Sequence, residues 1–404
     1  RVQWLRPGVQ RLSCAYYHCC ALDQDRWVSW GRNTEGQLGL SDNVHRGNSS
    51  STTGLEKSTV YRAPADFLAA RSYLCQGHQD AVRCWGSAAV AQLGGEALLG
   101  RWVSFNSSSG GWVSVSLGLH HSCGVTTGAQ TMCWGSNAFR QLGRTDVDSA
   151  AIADATPVPG ATAVSQVTVG AQHTCVLMDS SARCWGHNSA GELGVDSLVD
   201  QAVPAGGIDL LPAVDFGQQA VVRQIAAGDC HTCAVVDLVD DGLFGAVQCW
   251  GCAAGGQLGT ANGQAQMGPV LSAAYTETGA AVAVLSVGDY SCFVTEGGSL
   301  HCWGTSAWFG GPVVQASRVP LPFAVVRISC AVGHCCALDP LGVVWCWGVG
   351  QHGQLGLGFE SRSPDFAEPV PSLRGRVVED IVVGDSFSCA TGPAGLRCWG
   401  KTPR

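Results

Sequence analysis

Cysteine and histidine are the side chains of this sequence that could carry chemistry. The 404 residues include 21 cysteines and 11 histidines. Cysteines at fixed spacing form disulfides or bind zinc, and a histidine beside a hydroxyl or thiol can act as a base. Fourteen of the cysteines form seven pairs, each across a predicted turn: Cys75 with Cys84, Cys123 with Cys133, Cys175 with Cys184, Cys233 with Cys249, Cys292 with Cys302, Cys336 with Cys346, and Cys389 with Cys398.

The spacing within these pairs favours disulfides over zinc. Six pairs are nine or ten residues apart, which suits opposite positions on two antiparallel strands joined by a short turn. The pair of Cys233 and Cys249 keeps this register if residues 237–246 form a longer hairpin tip. Zinc ligands would need Cys-x-x-Cys turns, which seven of the eight repeat units described below lack.

The remaining seven cysteines leave one unpaired. The stretches that end in His18-Cys19-Cys20 and His334-Cys335-Cys336 match position for position, and this match guides their pairing. Cys20 is then single, because Ser29 takes the place of its hairpin partner. Such a cysteine is a buried spare or an intermolecular link, and we expect the buried form. Three further disulfides are predicted: Cys14 with Cys19, Cys330 with Cys335, and Cys230 with Cys252.

So many paired cysteines indicate an oxidising compartment. Cytosolic thiols are kept reduced, so the chain is expected to be extracellular, at the cell surface or in the secretory lumen. Two glycosylation sequons in predicted linkers agree with this, at Asn48 and Asn106. The sequence therefore predicts a secreted glycoprotein.

The histidines recur at one repeat position, where aromatic residues also occur. Five units have a histidine there: His18, His121, His173, His231 and His334. Tyr73 and Phe387 replace it in two units, with Tyr290 nearby in a third. Residues that recur once per repeat lie too far apart for one metal, and aromatic substitutes indicate packing. We therefore expect structural histidines, with no metal and no cofactor.

Motifs of enzymes are absent from the sequence. It has no Gly-x-Ser-x-Gly elbow, no phosphate-binding loop and no His-Glu-x-x-His segment. The expectation is therefore a protein that is not an enzyme.

The elements that position these residues form an internal repeat. A Gln-Leu-Gly or Glu-Leu-Gly signature and a β-rich run ending in Gly-x-x-His-x-Cys recur in several copies. Repeats of this length indicate solenoids or propellers, and the wide tryptophan rings are expected to cover the surface between repeats. The dipeptide Trp-Gly occurs eight times at intervals of 44 to 65 residues, with its tryptophan at Trp30, Trp85, Trp134, Trp185, Trp250, Trp303, Trp347 and Trp399.

Each copy has the pattern of short strands. Residues 164–169 and 174–178 are β-branched or apolar runs, residues 179–181 suit a turn, and residues 183–185 follow as a third strand. Variable linkers lead to a fourth strand. The predicted fold is all-β, a β-propeller of four-stranded blades. One domain over residues 1–404 is expected, with three-strand units near residues 9–30, 68–85, 115–134, 164–185, 221–250, 282–303, 325–347 and 378–399.

The combined motif resembles a known family. The pattern Gly-x-x-His-x-Cys-Ala followed by Cys-Trp-Gly-x-Asn-x-x-Gly-Gln-Leu-Gly is similar to the repeat of the regulator of chromosome condensation family of propellers. The cysteine-bearing version resembles the ectodomains of crinkly-type receptor kinases and secreted microbial members. The resemblance covers essentially the whole chain. It implies seven blades, the usual number in the family.

The repeat count departs from that number. Eight units are present, and residues 2–6 resemble residues 370–374, which precede the final unit. We expect eight blades, with the two termini sharing one blade; the alternative is that the first unit belongs to a neighbouring array. The first residue is Arg1 and no charged-then-apolar leader is present, so a processed product or an excised part of a longer chain is expected.

Charge and composition exclude several partners. The net charge is −8 and the only lysines are Lys57 and Lys401, which argues against nucleic acid and against polybasic membrane recruitment. No apolar run is long enough to span a bilayer. With only 13% charged residues, the surface is predicted to be covered by other proteins of an extracellular assembly. The expected function is a structural or protein-interaction scaffold. The alternative is a ligand-sensing ectodomain or inhibitor-like secreted binder, which would be a monomer.

Partners are expected to bind where the repeat is least regular. Three segments meet this criterion: residues 195–216, residues 98–112 and the sixth unit. The candidate interface residues within them are Trp102, Phe105, Trp112, Leu198, Leu210 and Trp308.

Overall fold

The fold consists of β-strands and loops. The computed structural model describes residues 9–14, 18–23, 26–34, 36–38, 42–46, 67–69, 73–78, 81–86, 103–106, 111–144, 152–260, 266–271, 280–306, 311–331, 333–358 and 367–401. These residues contain strands, two short 3-10 turns and no α-helix, so the all-β prediction is confirmed. Within them, no helix has the length and hydrophobicity that a membrane crossing requires.

The described strands form eight antiparallel sheets, which we number in chain order. Sheets 1 and 2 contain β1 (Val9–Cys14), β2 (His18–Asp23) and β3 (Arg26–Gly31), and β4 (Phe67–Ala69), β5 (Tyr73–His78), β6 (Ala81–Gly86) and β7 (Val103–Asn106). Sheets 3 and 4 contain β8 (Trp112–Leu117), β9 (His121–Thr126), β10 (Thr131–Gly135) and β11 (Ile152–Pro157), and β12 (Val164–Val169), β13 (His173–Met178) and β14 (Ser181–Gly186).

The second half of the chain continues the same order. Sheets 5 and 6 contain β15 (Ala220–Ala227), β16 (His231–Leu238), β17 (Leu243–Gly251) and β18 (Gln266–Leu271), and β19 (Ala281–Val287), β20 (Tyr290–Thr295), β21 (Leu300–Ser306) and β22 (Gly311–Arg318). Sheets 7 and 8 contain β23 (Arg327–Cys330), β24 (His334–Leu338), β25 (Val344–Gly348) and β26 (Glu368–Pro369), and β27 (Asp380–Val383), β28 (Phe387–Thr391) and β29 (Arg397–Gly400).

Each predicted three-strand unit overlaps the first three strands of one sheet. The hairpin of sheet 4 turns at Asp179 and Ser180, both with positive φ, the backbone that a two-residue hairpin turn requires. A fourth strand is present in five sheets of the described part of the chain. In sheets 1 and 4 a single bridge takes its place, Gly31 to Arg46 and Gly186 to Gln201. Residues 2–6, predicted to complete the last blade, lie outside the described residues.

A β-bulge recurs in the first strand of the sheets. The register with the second strand shifts by one residue in sheets 1, 3, 4, 5 and 6. A bulge increases the local twist of a strand and turns the extra side chain out of the pleat. Val113 and Val282 are such extra residues, and both are more than half exposed.

The core lies between the sheets and not within any one of them. Hydrophobic clusters join side chains of consecutive sheets, as where Trp185 of sheet 4 packs among residues of sheet 3. The first strand β1 contacts β4 of sheet 2 and also β27 and β28 of sheet 8. One cluster accordingly joins Leu12, Cys19 and Phe387, which belong to sheets 1 and 8. We call the contact between two consecutive sheets a seam and name it by its sheets, for example seam 4–5.

Candidate functional site

The hairpin cysteines are paired as their spacing predicts. In each of sheets 2 to 8 two cysteines face each other on the second and third strands and form a disulfide, with Cα atoms 4.0 to 4.1 Å apart. The seven hairpin disulfides, in chain order, are Cys75 with Cys84, Cys123 with Cys133, Cys175 with Cys184, Cys233 with Cys249, Cys292 with Cys302, Cys336 with Cys346, and Cys389 with Cys398.

The longer spacing between Cys233 and Cys249 is absorbed by longer strands and a four-residue turn. Both residues keep the opposed position of the other pairs, because β16 and β17 extend to Leu238 and from Leu243. The turn itself covers residues 239–242, so it is shorter than the expected tip at residues 237–246, most of which belongs to the strands.

Three further disulfides involve the cysteines outside the hairpin positions. Cys14 faces Cys19, and Cys330 faces Cys335, between the first and second strands with Cα atoms 4.1 Å apart. Cys230 and Cys252 join across 5.7 Å, just outside the strands of sheet 5. Nine of the ten disulfides thus connect neighbouring strands of one sheet, and the tenth joins the loops at one end of a sheet.

Cys20 is the one free cysteine of the described residues, and it is buried. It faces Ser29 across the hairpin of sheet 1. Burial raises the pKa of its thiol well above the usual value, so this thiol is protonated and a poor nucleophile. The position agrees with a buried spare.

The histidines cross the seams and bond to hydroxyl groups. In four seams the Nε2 atom lies 2.7 to 2.9 Å from the side-chain oxygen of a serine or threonine in the next sheet. The hydroxyl residue directly follows the histidine position of its own unit, and all four rings are buried. The four pairs are His121 with Thr174, His173 with Thr232, His231 with Ser291, and His334 with Ser388.

The direction of the bond excludes a nucleophilic dyad in two of these seams. The hydroxyls of Thr174 and Ser388 donate to the carbonyl oxygens of Gln141 and Gln354, at 2.8 and 2.9 Å. Since a hydroxyl has one hydrogen, the histidine Nε2 must donate to it. A histidine acting as base would have to accept that hydrogen instead. The arrangement resembles a serine–histidine pair in distance alone, and its role is to connect sheets.

Burial keeps the four rings neutral. It lowers the pKa of His121 and His334 to about 3 and the pKa of His173 and His231 to about 4. The Nδ1 atoms of His121 and His231 have no hydrogen-bond partner among the described residues. A proton added there would therefore create a buried N–H without an acceptor.

The tryptophans bond to the loops that carry the Gln-Leu-Gly or Glu-Leu-Gly signature. Four indole N–H groups donate to main-chain carbonyls of the preceding sheet's Gln-Leu-Gly or Glu-Leu-Gly loop, at 2.6 to 2.9 Å. The Trp-Gly signature therefore supplies the donor, and the Gln-Leu-Gly or Glu-Leu-Gly signature the acceptor, of one hydrogen bond across each of these four seams. Sequence reasoning assigned the tryptophans to packing and missed this bond. The pairs are Trp185 with Gln141, Trp250 with Glu192, Trp303 with Gln257, and Trp399 with Gln354.

A glycine in these loops makes room for the tryptophan. Gly194 has a φ of +68°, and a Cβ there would lie 2.9 Å from two ring atoms of Trp250. This explains why glycine follows the leucine of the signature, since another residue would strain the backbone and displace the ring.

Three units replace the histidine, and in two of their seams, 6–7 and the contact of sheet 8 with sheet 1, the hydroxyl is missing as well. Tyr290 of sheet 6 faces sheet 7, where the hydroxyl position is Cys335; its own hydroxyl donates to the carbonyl of Ala331 at 2.9 Å. Phe387 of sheet 8 packs with Cys19 of sheet 1. These matched replacements, in the first case 45 residues apart, are the signal that sequence reasoning missed.

His18 departs from the pattern of histidine and hydroxyl. Its ring is buried, but Leu74 occupies the hydroxyl position of the following unit. The pairing rule therefore holds for the four seams above and does not extend to seam 1–2, nor to seam 2–3, where Tyr73 replaces the histidine and the next unit keeps Ser122.

The predicted interface residues are only partly described. Leu198 and Leu210 are 52% and 66% exposed. Trp112 is half-buried and packs edge-to-face on Trp134, with ring centroids 5.7 Å apart. Trp102 and Trp308 lie outside the described residues, and for Phe105 the backbone alone is described, in β7.

Of the two predicted glycosylation sites, the structure describes one. Asn48 lies outside the described residues. Asn106 is the last residue of β7, the outermost strand of sheet 2, where a linker was expected.

Comparison with known proteins supports the repeat assignment. Residues 342–391 and 164–192 match the Regulator of chromosome condensation (RCC1) repeat. The Ultraviolet-B receptor UVR8 of Arabidopsis thaliana is 25% identical over 89% of this chain and 80% of its own length. The RCC1 domain-containing protein RUG3, mitochondrial, of the same plant is 26% identical over 92% of this chain and 77% of its own length.

A solved structure agrees with the fold. The crystal structure of Prp20p from Saccharomyces cerevisiae, described with its binding properties to Gsp1p and histones, superposes with a TM-score of 0.65. It is 17% identical and covers 98% of this chain and 93% of its own. The chain therefore carries RCC1 repeats in an all-β fold like that of RCC1-type propellers.

The close approach at the histidines is testable with two glycine variants. A Cβ at Gly228 would lie 2.2 Å from Cε1 of His231 and 2.8 Å from the carbonyl oxygen of Gly288. We expect Gly228→Ala to lower the free energy of unfolding by about 1–3 kcal/mol through overpacking. Gly268→Ala is the control, because its Cβ meets no described atom within 4 Å. Urea unfolding at pH 7 measures both. Equal stability of the two variants would contradict the tight seam.

Acid should destabilise the protein through the buried histidines. Their folded-state pKa values of about 3 to 4 lie below the unfolded value of about 6.5. Between these values the unfolded state binds more protons. Stability is therefore complete above pH 6.5 and falls as pH drops toward 4, by about 1.4 kcal/mol per pH unit for each histidine.

The variant His334→Phe isolates one of these protons. Its free energy of unfolding, measured in urea from pH 7 to pH 4.5, should fall less steeply with decreasing pH than that of the parent. The reason is that unfolding of the variant takes up one proton fewer. The exposed His352 provides the control as His352→Asn, which should keep the parent slope. A His334→Phe protein with the parent slope would show that this ring is not kept neutral by the fold.

Proposed function

Because the chain carries RCC1 repeats in an all-β scaffold, we propose that it is a protein-interaction propeller, not an enzyme, and a subunit of a larger assembly. The observation that carries this proposal is a set of exposed apolar side chains on an anchored segment, residues 195–216. Three apolar side chains of this segment, Leu198, Val199 and Leu210, are 52%, 69% and 66% exposed. Five others are buried in the core: Val203, Ile208, Leu211, Val214 and Phe216.

Anchoring matters for binding. Asn188 holds the start of the segment, since its amide donates to the carbonyls of Ser197 and Val199 at 2.8 and 3.2 Å. The three exposed apolar side chains are thus presented by a fixed backbone, which lowers the entropy cost of binding a partner. Exposed apolar residues on such a surface are typical of interface cores.

The seams support a scaffold over an enzyme. Their histidine and hydroxyl side chains are buried and form hydrogen bonds between sheets. UVR8 is named as a receptor, and Prp20p is described with its binding to other proteins. A ligand-sensing or inhibitor-like binder is the second candidate, and a clean monomer in solution would favour it.

We further propose that eight blades close into a ring. Sheet 1 contacts sheets 2 and 8, and the cluster of Leu12, Cys19 and Phe387 supports a seam between the last sheet and the first. Residues 2–6 would complete the eighth blade in this arrangement.

An oxidising compartment is likewise a proposal, and so is the cysteine-rich extracellular type. It is supported by the ten cysteine pairs. RUG3 carries a mitochondrial designation, so the relatives do not point to one compartment. Partners would then be proteins of an extracellular or surface assembly.

Three serine substitutions test the interface. We expect Leu198→Ser/Val199→Ser/Leu210→Ser to fold normally but to reduce co-purification with native partners at least ten-fold, measured by native mass spectrometry of the complex. The matched control is Leu341→Ser, which alters a hairpin residue that is 81% exposed in another sheet. Full assembly of the triple variant would place the interface elsewhere.

A thiol count tests the compartment. Protein isolated from its native source and unfolded without reductant should react with alkylating agent at one cysteine, Cys20, because the other twenty are paired. Peptide mapping should find Cys175 joined to Cys184. Several free thiols per chain would contradict both the pairing and the oxidising compartment.

A further inference from the structure

Two neighbouring seams are held by a glutamine of the first strand. In seam 4–5, Nε2 of Gln166 donates to the carbonyl of Ile225 at 2.9 Å, and its Oε1 accepts from the N–H of Ile225 at 3.0 Å. In seam 5–6, Gln224 makes the same two bonds to Val284, at 3.1 and 3.0 Å. A primary amide suits this task because it presents a donor and an acceptor side by side.

Seam 6–7 lacks this glutamine. Gln166, Gln224 and Ala283 occupy the same register position, each opposite the residue two places after the hairpin cysteine. The methyl group of Ala283 cannot form either bond. The two main-chain groups that a glutamine would bind in sheet 7 are therefore left to another partner.

An open groove of about 390 Å³ lies at this place. Its walls are residues 282–285 and 292–296 of sheet 6, with Gly298, and residues 325–328 at the start of sheet 7. The groove is therefore the space that a longer side chain at position 283 would fill.

The register of sheet 7 matches that of sheet 5 at this groove. Ile328 pairs with Ala337 as Ile225 pairs with Ala234. In sheet 7 the N–H of Ala331, three residues after Ile328, donates to the carbonyl of His334. In sheet 5 the N–H of Gly228, three residues after Ile225, donates to the carbonyl of His231. Ile328 is thus the equivalent of Ile225.

The main chain of Ile328 faces the groove. Antiparallel pairs alternate between bonded and non-bonded, so Ile328 belongs to a non-bonded pair. By its register, its N–H and C=O lie on the edge of β23 that is not bonded to β24, which is the edge where Ile225 of sheet 5 bonds to Gln166.

Apolar side chains flank the groove. Val282 and Val326 are 53% and 64% exposed on its two sides. A ligand here would meet one donor and one acceptor of the main chain between two valines, and Glu296 and Arg327 also line the groove. This combination suits an amide-bearing side chain of an extended polypeptide, whose neighbouring residues would cover the valines.

We propose that seam 6–7 binds a glutamine side chain of a partner polypeptide, whose amide pairs with the main chain of Ile328 as Gln166 and Gln224 pair with Ile225 and Val284. The inference rests on the proposed function as a protein-interaction propeller, and it names the chemistry of one partner contact. The site is distinct from the exposed surface of residues 195–216.

A pair of peptides tests the amide. The probe is the acetylated and amidated pentapeptide Ala-Val-Gln-Val-Ala, titrated into the full chain at pH 7 by calorimetry. We expect one site per chain. The same peptide with glutamate in place of glutamine should bind at least ten-fold more weakly, because a carboxylate cannot donate to the carbonyl of Ile328. Equal binding of the two peptides, or no binding of either, would overturn the proposal.

Two variants locate the site. Ala283→Gln should raise the melting temperature and reduce binding of the glutamine peptide at least ten-fold, since the new side chain fills the groove. Gln224→Ala should lower the melting temperature and add a second site, because it opens the equivalent groove in seam 5–6. Unchanged affinity in Ala283→Gln, with one site retained in Gln224→Ala, would overturn the assignment.

These experiments distinguish a failure of the glutamine site from a failure of the proposed function. A chain that assembles with native partners but ignores the glutamine peptide refutes this site and leaves the interaction propeller standing. A chain that binds the peptide in the two-variant pattern but has no native protein partner supports the site and refutes the broader function.

Discussion

The structure depends on the bonds that cross its seams. A three- or four-stranded sheet of this size cannot bury both faces by itself, so each sheet is stabilised by its neighbours. In two seams the tryptophan indole and the serine or threonine hydroxyl, itself bonded to a histidine, converge on one loop carbonyl, as Trp399 and Ser388 do at Gln354. Because that carbonyl belongs to the main chain, the loop must keep its shape for the next sheet to attach.

The disulfides act at a different level from these bonds. Each lies within one sheet or the loops at its end, so it stabilises a hairpin and leaves the arrangement of sheets to the seams. Some of their sulfur atoms also touch the next sheet: those of Cys19 and Cys389 lie 3.9 Å apart across the contact between sheets 1 and 8, each within its own disulfide. The oxidised hairpins are therefore rigid parts, and hydrogen bonds and apolar packing assemble them.

Much of the architecture could be predicted from the sequence, because its signals are local. The cysteines of a hairpin are separated only by a turn, so the spacing of Cys175 and Cys184 already indicates the register of two strands. What could not be predicted is the partner of each group: Thr174 lies more than 50 residues from His121, and Trp185 bonds to a main-chain carbonyl, which leaves no mark in residue type. The groove beside Ala283 was missed for a similar reason, because an alanine is informative only against the glutamines at the same register.

The match between histidine and hydroxyl has a consequence for how such an array can change in evolution. Each contact joins the histidine position of one unit to the hydroxyl position of the next. When a unit is duplicated in tandem, the histidine of the first copy must therefore meet a hydroxyl in the second copy. A tandem copy of the fourth unit would do so, since His173 would meet a second Thr174. A copy of the seventh unit would not, because the imidazole of His334 would meet a second Cys335, whose sulfur is in a disulfide. Duplication therefore preserves the hydrogen bond between sheets at some units of this array and loses it at others, so the effect of adding a repeat depends on which unit is copied.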